Sequence, residues 1–356
     1  MWLADSWKDY EVLDCSGGEK LERWGKYVLV RPDPQVIWNV DRKHPGWKKP
    51  DGIYHRSDRG GGSWEMRNLP EEWSISWEPK INASQPDTGI GGSSEAGLAA
   101  SSSAVAMRYP SLTFRLKPFQ FKHTGLFPEQ AANWEWFMPL IAAETARRGR
   151  DVTADDQYGA DEHEPGNPSA DRVAGDQVRV LNLFAYTGGA TAAAVAAGAH
   201  VTHVDASKGM VGWAKENLAV SGLAERPARF LVDDCAKFVA REIRRGRTYD
   251  AVILDPPSYG RGPSGEIWKL EDQIYDLLKL IRGVISDRPL FFLLNSYTTG
   301  LQPLVLKDLM NLTLAAGYDG VTEADEIALP VTGNAVEPQH LALPCGASAR
   351  WSARYR

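Results

Sequence analysis

From Val178 onward the chain alternates apolar runs with helix-forming stretches, and this alternation limits the fold more than any other feature. VRVLNLF (178–184), HVTHVD (200–205), ARFLVDD (228–234), YDAVILD (249–255) and PLFFLLNS (289–296) read as strands. Between them lie ATAAAVAA (190–197), a stretch from about Ser207 to Val220, and one starting near 266, all of helical composition. Strands joined through helices pair in parallel, and a parallel sheet is covered on both faces. The expected architecture is therefore α/β, with a doubly wound, Rossmann-like sheet. From Gly320 on, Pro330 and Pro344 mark the tail as antiparallel edge strands.

Upstream the pattern changes. YVLVRP (27–32), VIW (36–38) and SISW (74–77) are short β-type runs between turn signals, and no long helical period appears. We expect a small β-rich domain over 1–120 and a second domain over 121–356. Trp2, Trp7, Trp24, Trp38, Trp47, Trp64, Trp73 and Trp77 crowd the first region. They fit either a platform for stacked bases or the filling of a thin β core, and core filling is the commoner fate of such rings. Residues 82–106 are rich in Gly, Ser and Ala and read as a flexible insertion. Strand character returns at SLTFRLKPFQFKH (111–123), and EQAANWEWFMPLIAAETARR (129–148) reads as a helix. The stretch 151–176 holds eight acids against Arg172 alone and reads as a solvated acidic loop.

Composition excludes some classes of function. With 43% hydrophobic and 24% charged residues over 356 positions, the chain can build a full core. A net charge of -6 rules out a wholesale polycationic nucleic-acid binder but leaves room for local basic patches. Cys15, Cys235 and Cys345 lie far apart with no C-x-x-C, so neither a zinc site nor a disulfide framework is read and no metal is implied. A cytoplasmic protein without a membrane span is the expectation, its assembly left open, a homodimer included.

The ends of the successive strands carry the chemistry. VLNLFAYTGGAT (180–191) opens a strand into a glycine pair before a helix, which lets a ligand approach the backbone. It lacks both G-x-G-x-x-G and G-x-x-x-x-G-K-[ST]. Asp205 ends the second strand, where an acid can accept both hydroxyls of a ribose. Asp233 and Asp234 end the third, where a carboxylate can accept from an adenine amino group. Asp255-Pro256-Pro257-Ser258-Tyr259-Gly260 follows the fourth. Its prolines remove donors and fix the chain, leaving Asp255 and the Pro256 carbonyl as acceptors for an exocyclic amine. Singly, the glycines could serve helix packing and the prolines a rigid turn. Four strand ends in agreement favour a ligand site.

Residues 178–300 resemble a class I S-adenosylmethionine-dependent methyltransferase. FKHTGLFPEQAANW (121–134) resembles the K-T-G-[FY]-x-L-D-Q segment ahead of the catalytic domain in the ribosomal RNA large-subunit methyltransferase family, which includes the 23S cytosine-5 enzymes. With NLFAYTGGAT, VDAS and DPPSYGRG, the resemblance covers roughly 110–356. It implies a seven-stranded domain, S-adenosylmethionine as cofactor, and a small N-terminal RNA-binding extension. It places Thr124, Phe127 and Gln130 beside the cofactor, and Phe184, Tyr186, Gly188 and Gly189 along its methionine and ribose. Asp205 would hold the ribose hydroxyls, with Ser207 and Asn217 supporting that turn, while Asp234 and Cys235 flank the adenine. Asp255 bridges cofactor and substrate, and Asp255, Pro256 and Tyr259 form the expected catalytic set.

Two departures shape the functional expectation. Cytosine-5 transfer needs a cysteine thiolate, which the family places after the fifth strand, where this chain has Asn295-Ser296-Tyr297. Cys235 and Cys345 are expected to pack instead. Amino-group methyltransferases use Asp/Asn-Pro-Pro-aromatic, whereas here Ser258 is fourth and Tyr259 follows one residue late. The expectation is direct transfer to a base nitrogen of RNA, and the resemblance points to ribosomal RNA. The alternatives are a methyltransferase of a small molecule or protein side chain, and a non-catalytic RNA-binding protein. His123 is expected to orient its loop, and Arg241, Arg244, Arg245 and Arg247 to form a solvated helix face.

Overall fold

The computed structural model describes all residues except 58–60, 81–108, 120–121, 156–176, 262–266, 334–340 and 355–356. The insertion near 82–106 lies outside the described residues, as does the acidic stretch beyond Asp155. β1 (Trp2–Leu3) pairs in parallel with a strand far along the chain, Trp2 opposite Ile327. β2 (Tyr10–Ser16), β3 (Glu19–Trp24), β4 (Tyr27–Pro32), β5 (Gly52–Arg56) and β6 (Gly62–Met66) form a five-stranded sheet in that order. Residues 36–38, expected as a strand, join no ladder among the described residues. After the Asp33-Pro34 turn their carbonyls are taken by the β2–β3 turn, Gly17 N–H donating to Trp38 and Gly18 N–H to Val36.

β7 (Trp73–Trp77) and β8 (Leu112–Leu116) form an antiparallel pair, β8 ending two residues before Pro118. α1 (Ala131–Asp155) follows a 3₁₀ turn at Pro128–Gln130, so the helix starts later than its sequence suggests and runs on into the acidic stretch. Trp7, Trp77, Phe114 and Trp134 meet with ring centroids 5.2–6.3 Å apart. Trp24 and Trp77 are fully buried and none of the eight N-terminal tryptophans is exposed, so these rings fill a core.

The alternating half follows as β9 (Arg179–Leu183), α2 (Gly189–Ala196), β10 (His200–Asp205), α3 (Lys208–Val220), β11 (Ala228–Val232), α4 (Cys235–Arg244) and β12 (Ala251–Leu254). A hairpin, β13 (Tyr259–Arg261) with β14 (Ile267–Lys269), precedes α5 (Leu270–Ile281), where the sequence suggested a helix from about 266. β15 (Phe291–Ser296), α6 (Pro303–Leu312), β16 (Gly320–Pro330) and β17 (Ala342–Ala353) complete it. The sheet order is β1-β16-β17-β15-β12-β9-β10-β11, with β17 antiparallel to both neighbours. The expected seven strands are there, and β1 adds an eighth from the N-terminal region.

The central strands are apolar throughout because helices cover both faces. Their side chains alternate between two cores. Val180, Ala251, Ile253, Phe291 and Leu293 point to the core shared with α1 and the N-terminal strands. Leu181, Leu183, Val252, Leu254, Phe292 and Leu294 point to the core under α4, α5 and α6. No helix among the described residues is long and apolar enough to cross a membrane.

Candidate active site

Leu183 of β9 lies opposite Leu254 of β12 and Val204 of β10, so three strand ends open on one edge. β9 is the point where the winding reverses, and such a switch point leaves a crevice beyond the strand ends. The β9–α2 turn there is held in an unusual backbone state. Phe184 and Tyr186 have φ of 56° and 50°, in the left-handed region that non-glycine residues rarely occupy. Asp205 holds the turn, accepting Tyr186 N–H at 2.9 Å and Ser207 N–H at 2.8 Å on its two oxygens. Burial raises the Asp205 pKa, and these two N–H groups act against it.

Packing demands the glycine pair. A Cβ on Gly188, at φ 83°, would lie 2.8 Å from the Ala214 Cβ, and one on Gly189 would lie 2.7 Å from the Trp134 ring. Asn217 ties the turn to β8, accepting from Arg115 N–H at 2.9 Å and donating to the Thr187 carbonyl at 2.8 Å. Ser207 caps α3, and Asp234 caps α4 by accepting Lys237 N–H at 2.8 Å. Beside it the Cys235 thiol is buried, and burial pushes it up to about 12. Around the end of α4, Arg241 pairs with Asp233 and Arg245 reaches buried Glu242 at 2.9 Å, while Arg244 is exposed.

Two adjoining cavities open here. The smaller, about 50 Å³, gathers Phe127, Gln130, Phe184, Tyr186, Gly189 and Asp255 from the expected set, with Asn182 and Asn295. The larger, about 330 Å³, shares Leu126 and Phe127 with it. One of its walls carries Glu129, Pro257, Ser258, Tyr297 and Cys345, the other Lys20, Arg31, Lys122 and His123. Thr124, Gly188, Asp205, Ser207, Asn217, Asp234 and Cys235 line neither cavity. The Thr124 hydroxyl is nevertheless fully buried and has no hydrogen-bond partner among the described residues.

Asp255 lines the smaller cavity, and Pro257, two residues on, lines the larger. Its Oδ1 accepts from Asn295 Nδ2 at 2.8 Å. Ser348 Oγ donates to Asn295 Oδ1 at 2.7 Å and accepts from Asn133 Nδ2 at 3.1 Å. Asn133 also donates to Gln130 Oε1 at 2.8 Å, and Gln130 Nε2 donates to the Tyr297 hydroxyl at 2.8 Å. A continuous polar chain thus runs from Asp255 to Tyr297 through β15, β17 and α1. Burial raises Asp255 to about 7; the Asn295 hydrogen bond opposes this and the nearby charge of Glu129 adds to it. The Pro257 carbonyl accepts from Trp268 Nε1 at 2.6 Å, whereas nothing among the described residues donates to the Pro256 carbonyl.

Tyr259 lies outside both cavities, 51% exposed on β13. Tyr297 instead lines the larger cavity, its ring 5.4 Å from that of Phe127. Glu129, Asn295 and Tyr297 were not singled out as site residues from the sequence. A polar Asn-Ser-Tyr closing an otherwise apolar strand was the available signal. Cys345, expected only to pack, lines the larger cavity.

The opposite wall comes from the N-terminal sheet. Arg31 grips buried Glu22 with Nε at 2.6 Å and its second nitrogen at 2.7 Å, and Tyr10 donates to Glu22 at 2.8 Å. Lys20 reaches Asp33 at 3.2 Å and Glu22 at 3.6 Å. Arg31 also donates to the Lys122 carbonyl at 2.8 Å, so this sheet fixes the loop that bears Thr124. Burial, with Arg31, Lys122 and Lys20 nearby, lowers His123 to about 3, so its ring is neutral at pH 7 and packs on Phe127 at 5.1 Å.

Residues 169–281 match the family described as S-adenosylmethionine-dependent methyltransferase. The ribosomal RNA large subunit methyltransferase K/L of Shewanella frigidimarina is 31% identical over 166 residues, 45% of this chain and 22% of that protein. The protein of the same name from Methylococcus capsulatus is 42% identical over 80 residues, 22% of this chain and 11% of that one. This chain thus spans less than a quarter of the length of these curated relatives. Among solved structures, the SAM-dependent methyltransferase from Agrobacterium tumefaciens is 31% identical with a TM-score of 0.75, over 98% of this chain and 92% of that one. A structure described as a methyltransferase complexed with SAH shares the fold at 15% identity and a TM-score of 0.62, over 98% of this chain and 76% of the other.

Proposed function

The chain belongs to the S-adenosylmethionine-dependent methyltransferases, and on that footing we propose that it methylates a nitrogen of an RNA base, in ribosomal RNA. The cofactor, when bound, supplies a methyl group carried on a sulfonium centre. The smaller cavity and its rim suit it. Phe127, Gln130, Phe184, Tyr186 and Gly189 enclose the methionine and ribose end, and Thr124 brings a buried hydroxyl that lacks a partner among the described residues. Asp205 already holds the turn but keeps acceptor capacity on both oxygens for the ribose hydroxyls. Asp234, with Oδ1 on its own helix cap, serves the adenine side next to Cys235. Gly188, Ser207 and Asn217 shape the pocket from behind.

The observation that carries this reading is the Asp255-Pro256-Pro257 turn at the junction of the two cavities. Asp255 and the undonated Pro256 carbonyl offer two acceptors to an amine, which fixes its lone pair toward the cofactor pocket. Tyr297, rather than Tyr259, is placed to contact the base. The names of the curated relatives support RNA as the substrate.

The test has two parts. Mass mapping of ribosomal RNA from a deletion strain should reveal one missing methyl group on a base nitrogen. In single-turnover assays, Asp255→Ala should lose at least about 10²-fold in transfer while S-adenosylmethionine Kd changes little. A methyl group on carbon, or full transfer by Asp255→Ala, would overturn the nitrogen reading.

A further inference from the structure

Of the acids around the larger cavity, Glu22 and Asp33 are matched by cations and Asp255 belongs to the proline turn. Glu129 has neither use. It sits in the Pro128–Gln130 turn ahead of α1, 6% exposed, and lines the cavity. The Gln130 N–H bonds back to the Phe127 carbonyl at 3.1 Å and Pro128 fixes the turn, so the backbone carrying the carboxyl is rigid. Tyr297 takes its hydrogen bond from Gln130, leaving its own O–H to donate to Glu129.

The charged groups facing Glu129 are Lys20 and Arg31 across the cavity, with Lys122, and Asp255, Tyr297 and Cys345 on its own side. Lys20 and Arg31 are engaged by Glu22 and Asp33, and among the described residues Glu129 forms no ion pair. Burial raises its pKa, with Lys20, its own N–H, Tyr297 and Arg31 acting the other way. A carboxyl open to the substrate cavity, oriented by a phenol and lacking a counterion, has the attributes of a proton acceptor.

Resting on the nitrogen reading above, we propose that Glu129 is a further catalytic residue: the general base that takes the proton shed by the target nitrogen, with Tyr297 positioning it. As the nitrogen lone pair forms the N–CH₃ bond, the carbon–sulfur pair returns to sulfur and the nitrogen becomes cationic. One N–H bond then gives its electron pair back to nitrogen, and the proton passes to the Glu129 carboxylate. It leaves from there through the cavity mouth.

The experiment compares Glu129→Gln, Glu129→Asp and Tyr297→Phe with the wild type in single-turnover transfer to ribosomal RNA over pH 5–9. Glu129→Gln should lose about 10²-fold or more at pH 7. The acid limb of its profile should fall from two coupled ionisations to one, while S-adenosylmethionine Kd stays within about twofold. Glu129→Asp should keep both ionisations and part of the rate. In the cofactor-free protein, isotope-edited infrared titration should show the Asp255 ionisation moving to lower pH in Glu129→Gln, because the charge raising it is gone. Transfer within about threefold of wild type at every pH would overturn the proposal. So would equal losses in the Gln and Asp variants accompanied by weaker cofactor binding, which would make the role structural. The product separates this from the reading beneath it: a methyl group on carbon defeats nitrogen transfer, whereas an N-methyl product made at full rate by Glu129→Gln defeats only the role of Glu129.

Discussion

The two walls of the larger cavity treat buried carboxyls in opposite ways. On the N-terminal wall, burial alone would raise Glu22, but Arg31, Lys20 and the donated hydrogen bonds of Arg31 and Tyr10 bring it down to about 2. On the opposite wall Glu129, with Asp255 in the adjoining smaller cavity, is enclosed; neither has a cation of its own among the described residues, and burial raises both. Depth does not decide the state of a buried acid. What decides it is whether its neighbours are already committed elsewhere. One wall is a fixed charge lattice that holds the Lys122 loop, and the other keeps acids whose protons can move.

The sharpest way to break this contrast is to disarm the fixed wall. Arg31→Met leaves Glu22 buried with Lys20 as its remaining cation, beside the Tyr10 hydroxyl, and removes the bond to the Lys122 carbonyl. Losing one partner of a buried pair typically costs about 3–5 kcal/mol, and urea unfolding should show a loss of that order. The Glu22→Leu/Arg31→Met double variant should recover part of it. A single-variant loss below about 1 kcal/mol would mean that apolar packing alone holds this wall.

The opposite side should answer in pH. Asp255 titrates near 7 in the fold against an ordinary value of 3.8. Between those values the folded chain keeps a proton that the unfolded chain has released, so stability falls as pH rises through the window. Asp255→Asn should therefore unfold with a free energy higher by on the order of 3 kcal/mol at pH 8 and unchanged at pH 4. An equal difference at both pH values would contradict the burial of this acid.

The smallest effect is expected where both walls meet. Cys345 lines the cavity, and burial, with Glu129 adding to it, lifts its thiol well above the usual range. A protonated thiol is a poor nucleophile. Cys345→Ser should keep turnover within about threefold, a shift of under 1 kcal/mol in the barrier. Trapping of a covalent complex with 5-fluorocytosine RNA, dependent on Cys345, would instead make that wall nucleophilic.

What the sequence made legible follows the same division. The strand ends read well because each ends an apolar run at one sheet edge, so Phe184, Asp205 and Asp255 fall on that edge by period and order alone. Groups that act across elements were hidden. Asn133 is one polar residue inside a helix and Ser348 one in a strand, and only the packing of β17 against β15 makes them a chain from Asp255. Tyr259 was the nearer tyrosine in sequence, but the β13–β14 hairpin carries it outward while Tyr297 turns into the cavity. The VIW run was misread because backbone donors in a neighbouring turn replaced a strand partner, which side-chain pattern does not encode. The glycine pair was read for ligand approach, and its steric demand from Ala214 and Trp134 comes from helices distant in sequence.

The polar chain to Asp255 also sets an order of events during synthesis. β17 lies between β15 and β16, although the ribosome makes it after both. Those two strands cannot close on each other without shutting out the last one, so a gap must wait in the sheet until Ala342–Ala353 arrives. Ser348 arrives with that strand, and until then Asn295 has no partner to orient it toward Asp255. A nascent chain can fold its β9 turn early, since domains mature from the N-terminal side. The carboxyl proposed to hold the target amine therefore gains its oriented Asn295 partner only when β17 adds to β15.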